Sequence, residues 1–180
     1  MCGRYEISPF VKEKKIKNDL LTIKIKNSGE SFPGDNVPVI ALNRNLEVDY
    51  FYMKWGYSLN KKLIFNCRSE EIKNKQLFKE DYFKHRCLIK ASSYYEWDKN
   101  KIKYSIYADE DLYLAGIYRF YNGNFEFSIL TKDPISDIAF IHERMPVIFK
   151  ENQINDWLNL NNDPDDMIKE SIKNLKYKSI

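Results

Sequence analysis

DLYLAGIYRFYNGNFEFSILT, residues 111–131, decides the fold class. Two runs rich in aromatic and β-branched residues are joined through Asn122-Gly123, the strongest short-range signal for a β-hairpin. The strand pattern continues on both sides of that hairpin. Lys103-Tyr104-Ser105-Ile106-Tyr107 alternates polar and apolar, as a half-buried strand does. RCLIKA (86–91) and YYEW (94–97) read as two further short strands. Upstream, VPVIAL (37–42) and LEVDYFYMKW (46–55) flank Asn43-Arg44-Asn45 and predict a second hairpin.

Helical signals sit at the periphery. Ser8-Pro9 reads as an N-cap with a first-turn proline, opening a lysine-rich helix to about Leu21. Residues 28–36, SGESFPGDN, have loop composition. Residues 69–85 space Ile72, Leu77 and Phe78 helically, so one or two short helices are expected there. ENQINDWLNL (151–160) and a second helix opening at Asp163-Pro164 make 151–180 a helical C-terminal segment. The expectation is one α+β domain over residues 1–180, with a curved, barrel-like antiparallel sheet and peripheral helices.

Composition narrows the function classes. At 180 residues with 43% hydrophobic content, the chain can bury one full core. No apolar run approaches the ~20 residues of a membrane span, and the opening residues lack the apolar core of an export signal. A cytosolic protein with no membrane partner is expected. Cys2, Cys67 and Cys87 form no close pair, which argues against a disulfide framework or a zinc ribbon. A net charge of +3 supports nucleic-acid binding only weakly. The basic residues are mostly lysine. Of six arginines, Arg4, Arg68, Arg86 and Arg144 fall in the four segments that carry chemistry.

The first of these segments is MCGRY (1–5). Loss of Met1 would leave Cys2 with an α-amine and a thiol on adjacent carbons. In unperturbed peptides these titrate near ~8 and ~8.5, so both are partly reactive at neutral pH. The second, FNCRSEE (65–71), sets Asn66, Arg68 and Glu70 at alternate positions, sharing one face of a strand or lining a solvated edge. The third, RCLIKASSYYEW (86–97), places Glu96 between aromatics. Glu96 either points to water from an alternating strand, or is buried with a raised pKa as a general acid–base. The fourth, AFIHERMPVIF (139–149), holds His142 after three apolar residues. His85 lies in a lysine-rich stretch that reads as surface. Cys2, Glu96 and His142 match no metal-ligand spacing, so neither metal nor cofactor is expected.

Together MCGRY, NCRSEE, RCLIKASSYYEW and IHERMPVIF, in this order, resemble the SOS-response-associated peptidase family, the abasic-site DNA–protein crosslinking proteins. FPGDNVPVI and the Lys54-Trp55-Gly56 turn belong to the same match. The resemblance implies covalent capture of abasic sites in single-stranded DNA by a monomer, cytosolic and nucleoid-associated when on DNA. It implies Cys2 as nucleophile, freed by autocatalytic loss of Met1, with Asn66, Glu96 and His142 as the other active-site residues. Arg4, Arg68, Trp97 and Arg144 are the implied DNA contacts. Between Gly56 and Asn66 the chain carries only YSLNKKLIF, shorter than in bacterial relatives. Two other readings use the same residues. One is an N-terminal-nucleophile cysteine peptidase or amidase; the other is a non-catalytic single-strand binding module that stacks bases on its tyrosines.

Overall fold

The computed structural model describes residues 2–8 and 26–180. The helix expected over residues 9–21 lies outside them. The described chain opens with β1 (Tyr5–Ile7), β2 (Gly29–Ser31) and the hairpin β3 (Asn36–Leu42) and β4 (Val48–Trp55). A small hairpin of β5 (Tyr57–Leu59) and β6 (Lys62–Ile64) follows, then β7 (Asn66–Arg68) and helix α1 (Lys79–Lys84). The centre is β8 (Arg86–Trp97), β9 (Lys103–Tyr107), β10 (Leu112–Tyr121) and β11 (Asn124–Lys132). Short strands β12 (Met145–Pro146) and β13 (Ile148–Phe149), helices α2 (Ile154–Leu158) and α3 (Pro164–Lys169), and β14 (Lys176–Ser179) complete it.

Five strands close into a ring: β8 pairs with β10, β10 with β11, β11 with β4, β4 with β3, and β3 with β8. The barrel-like α+β fold is as expected, but its sheet is mixed. β11 runs parallel to β4 at Phe127↔Trp55 and parallel to β7 at Ile129↔Asn66. The reason is local. The chain leaves the barrel wall at Gly56, makes the β5–β6 hairpin, and returns at Phe65 in its original direction. The Gly56 amide donates to Phe127 O at 2.7 Å, and the Ile129 amide to Phe65 O at 3.0 Å. The Trp55 indole N–H donates to Phe65 O at 3.0 Å and closes the neck of this excursion.

Strands β8 and β10 are covered on both faces, which explains their near-continuous apolar runs. Inside the ring, Cys87, Ile89 and Ala91 of β8 pack with Val39, Met53 and Phe127. Outside, Leu88 and Ala115 pack under Tyr82 of α1 and Trp157 of α2. Asp163 caps α3, accepting from the Asp165 amide at 2.8 Å, with Pro164 in the first turn as its sequence signals.

Three local expectations are corrected. RCLIKA and YYEW form one twelve-residue strand, not two. The loop expected over residues 28–36 contains β2, which pairs with β1 at Tyr5↔Ser31. The helical C-terminal segment ends in a strand: β14 pairs with β9 at Tyr177↔Ile106. Lys-Tyr-Lys-Ser carries no apolar run to signal it, because β14 is exposed along its whole length and is held by backbone pairing.

Gly56 has φ of +115°, and a Cβ there would lie 2.3 Å from Leu63 Cγ. Gly56→Ala is expected to destabilise the fold by about 2 kcal/mol or more, from backbone strain and collision together. Chemical denaturation checks this; an unchanged midpoint would mean that the turn relaxes freely.

Candidate active site at the mouth of the barrel

Glu96 reaches the site through a phase change in β8. Cys87, Ile89 and Ala91 face the ring interior, so strict alternation would send Ser93 and Tyr95 inward and Glu96 out to water. The β1–β8 register instead steps from Glu6↔Ser93 to Ile7↔Ala91, leaving Ser92 as an extra, exposed residue. That bulge turns Tyr94 and Glu96 inward. Tyr94 is fully buried and Glu96 only 4% exposed. β8 also changes partners here, from β10, which it leaves at Ala91↔Leu112, to β9, which it joins at Tyr94↔Ile106.

The chain start is drawn to the same place. Tyr5 is fully buried, its ring 4.9 Å from that of Trp55. The Tyr95 amide donates to Arg4 O at 2.9 Å, and Asn66 Nδ2 donates to Cys2 O at 2.9 Å. Because a carbonyl can only accept, this bond fixes the amide orientation of Asn66. Its Oδ1 is left buried without a hydrogen-bond partner among the described residues. A buried acceptor held open in this way suits a substrate hydroxyl or an ammonium group.

The charges follow from burial. Cys2 is fully buried, and desolvation together with the Glu96 charge pushes its thiol well above the ordinary range. The thiol is therefore neutral at pH 7, unlike the partly ionised group of a free peptide. Burial raises the Glu96 carboxyl to about 7, the poise of a general acid–base at neutral pH. Burial lowers His142 below the ordinary imidazole value, so it is neutral. His142 Nδ1 accepts the Arg144 amide at 3.0 Å, which leaves the ring proton on Nε2, 3.9 Å from Glu96 Oε2. Cys2, Asn66, Glu96 and His142 thus converge from four distant segments.

The expected DNA contacts divide. Arg68 shares a face of β7 with Asn66 and its side chain is 53% exposed, beside Glu71 at 3.4 Å. The Arg4 guanidinium lies over the rings of Phe32 (4.5 Å) and Trp97 (5.0 Å) and pairs with Glu30. Lys103 joins that cluster through Glu30 at 2.6 Å. The sequence reading passed over Phe32 and Lys103; a lone aromatic before Pro33-Gly34 was the available signal. Arg144 is committed within the fold. It is 8% exposed and donates to Asp133 at 2.6 Å, Glu70 at 2.7 Å and Thr131 O at 2.8 Å. Glu70 lies beyond the end of β7, turned toward Arg144 rather than aligned with Asn66 and Arg68. Arg144 thereby ties the second segment to the fourth and holds the His142 loop. Only its Asp133 partner, 85% exposed, is readily exchanged for a phosphate.

Among the described residues, no three His, Cys, Asp or Glu side chains gather into a metal-binding group. A separate cleft of about 790 Å3 is lined by Asp109, Glu110, Asp111, Asp137 and Glu170 and includes none of these site residues. Lys150, Lys173 and Lys176 share the same lining, the last paired with Asp109. No helix among the described residues is long and apolar enough to cross a membrane.

A five-stranded ring with a buried residue-2 thiol, an amide, a carboxyl and a neutral imidazole at its mouth defines a class, and the comparisons place the chain in it. The chain belongs to the SOS response associated peptidase (SRAP) family, matched over residues 1–180. The abasic site processing protein YoqW of Bacillus subtilis (strain 168) is 30% identical, the match covering 92% of this chain and 84% of the relative. The abasic site processing protein HMCES of Xenopus tropicalis is 29% identical, over 55% of this chain and 38% of its own. A solved structure from Bacteroides thetaiotaomicron shares the fold at a TM-score of 0.79 and 24% identity, covering 99% of this chain and 92% of that one.

The Glu96 carboxyl sets a pH dependence of stability. Its folded value, about 7, lies above the ordinary 4.5, so the folded chain keeps a proton that the unfolded chain releases. The stability from the neutral carboxyl is complete below about pH 4.5 and is lost as pH rises through about 7. Between those limits wild type is expected to lose up to about 3 kcal/mol that Glu96→Gln keeps. Urea midpoints at the two pH values measure this; parallel pH profiles would place Glu96 in water.

Proposed function

We propose that the protein captures abasic sites in single-stranded DNA as a covalent link to Cys2, after removing its own Met1. The observation that carries this reading is the complete burial of residue 2. Chain starts are ordinarily frayed, yet this one is held by Asn66 beside a carboxyl poised near neutrality. The names of the relatives, abasic site processing proteins, point to the electrophile. An abasic sugar opens to an aldehyde and needs no base to be flipped out.

Loss of Met1 is a hydrolysis: the Met1–Cys2 amide bond breaks, water supplies the new carboxylate oxygen, and Cys2 keeps the α-amine. That amine adds to the aldehyde carbon. Neutral Glu96 protonates the carbinolamine hydroxyl, which leaves as water, and an iminium forms. The Cys2 sulfur then adds to the iminium carbon while its proton passes to the Glu96 carboxylate, closing a thiazolidine. The net reaction is aldehyde plus cysteine to thiazolidine plus water. Closure within one residue makes this last step effectively unimolecular. The raised thiol pKa sets the order, because a neutral thiol waits for a base while the amine attacks first. Asn66 Oδ1 accepts from the amine or the sugar. His142, with its proton on Nε2, assists ring opening of the sugar. Arg68, Arg4 and Trp97 hold the strand, and Arg144 does so by exchanging Asp133 for a phosphate.

Incubation with a single-stranded oligonucleotide carrying one abasic site tests the reading. Mature protein is expected to weigh one methionine less than the full chain and to give a band shift that survives denaturation. Cys2→Ser should give only a borohydride-trapped adduct, and extra residues ahead of Met1 should abolish the stable link. Glu96→Gln, supplied without Met1, is expected to form the link about a hundredfold more slowly and to release it more slowly on chase with competing abasic DNA. Peptide turnover without any DNA link would overturn the reading in favour of a cysteine amidase.

A further inference from the structure

Glu96 does not end the inward-facing row of its sheet. Its ladder partner on β9 is Tyr104, and the next strand, β14, presents Tyr177 opposite Ile106, on the same face. Phe140, two residues before His142, closes on both tyrosines. Its ring centroid lies 5.7 Å from that of Tyr104 and 5.2 Å from that of Tyr177, with interplanar angles of 90° and 68°. Tyr104 and Tyr177 meet edge-on at 6.0 Å. Three aromatic rings therefore form one cluster reaching from the carboxylate of the site to the molecular surface.

The exposure of this cluster is built in. Ile138 and Ile141, 2% and 3% exposed, pin the loop on either side of Phe140. Phe140 is nevertheless 54% exposed, and Tyr177 43%. Tyr104 packs its inner end against the core. Edge-on contact among the rings leaves π-faces open to solvent. Lys176 and Lys178 alternate to the other face of β14, where Lys176 pairs with Asp109 and Lys178 lies over Tyr107, so the ring cluster itself is uncharged.

We propose that Phe140 and Tyr177 form a stacking platform for the nucleobase adjacent to the abasic nucleotide. This rests on the reading of the protein as a single-stranded DNA binder, and it adds a second requirement: an intact base beside the lesion. Two features select a nucleobase as the occupant. The platform is continuous with the Glu96 and His142 side of the site. It offers ring faces rather than hydrogen-bonding edges, which suits stacking without sequence preference.

The test separates stacking from a purely structural role and does not depend on crosslinking. Fluorescence anisotropy would measure affinity for two short single strands with an unreactive tetrahydrofuran abasic analogue at the centre. In one strand both neighbours are ordinary nucleotides; in the other they are also base-free spacers. Wild type is expected to prefer the first by about tenfold, the effect of one stacked base. Phe140→Ala and Tyr177→Ala should bind the base-free strand as wild type does and lose most of that preference, while Phe140→Trp should keep it. Equal affinity of wild type for both strands, or an undiminished preference in the alanine variants, would overturn the proposal. So would an equal loss of affinity for both strands in the variants, which marks the cluster as a support for β14. A wild type that prefers bases here but forms no link with a true abasic site would instead refute the covalent reading and leave the platform standing.

Discussion

Strand β8 has to serve two sheets, and one extra residue reconciles them. Its first half closes the five-stranded ring against β3 and β10. Its second half leaves the ring between β1 and β9. A single rigid alternation cannot satisfy both, because the face that fills the barrel would turn away from its mouth. The slip at Ser92 lets Ala91 and Tyr94 both point inward, and Glu96 follows Tyr94. The site thus depends on a backbone irregularity of one residue, and every other member is brought to where that irregularity aims the carboxyl.

What gathers there is a set of groups kept neutral or nearly so. An unpaired charge in such a place would cost several kcal/mol. The site avoids most of that cost by holding the thiol protonated, the imidazole uncharged and the carboxyl near its midpoint. The fixed charges stand outside. Arg144 is paired with Glu70 and Asp133, Arg4 with Glu30, and Arg68 with Glu71. The carboxylate partners of these arginines are themselves partly exposed, so the fixed charges are balanced near the surface and the interior carries none.

Much of this was legible in the sequence. The strands around Asn122-Gly123 announce themselves by residue type, and the apolar runs of β8 and β10 are long because both faces are covered. Cys2, Asn66, Glu96 and His142 came together as a set only through the resemblance of the four motifs; read singly, Asn66 also fitted a solvated strand edge and Glu96 a side chain in water. The side of the strand that Glu96 occupies was not legible. Alternation is a local rule, whereas the bulge is set by β1, some ninety residues away in sequence. The attachment of Arg144 was hidden for a similar reason: Glu70 and Asp133 approach it from different strands' ends. β14 escaped because a short, exposed lysine-tyrosine strand has no apolar run to signal it.

The neck between Trp55 and Phe65 has a different kind of consequence. The barrel wall is continuous on either side of it: Trp55 pairs with Phe127, Asn66 with Ile129, and the indole hydrogen bond ties the two ends. Only the tip of the hairpin, residues 59–62, stands clear of the wall; Tyr57 is fully buried and donates to Asp81, and Ser58 donates to Glu126. The cost of closing a longer loop grows only logarithmically with its length, about 0.6 kcal/mol per doubling. Evolution or an engineer can therefore lengthen this hairpin at its tip, or place a reporter there, without moving Asn66. The protein carries a ready-made insertion point at the tip of a hairpin that ends two residues before Asn66 of the candidate site.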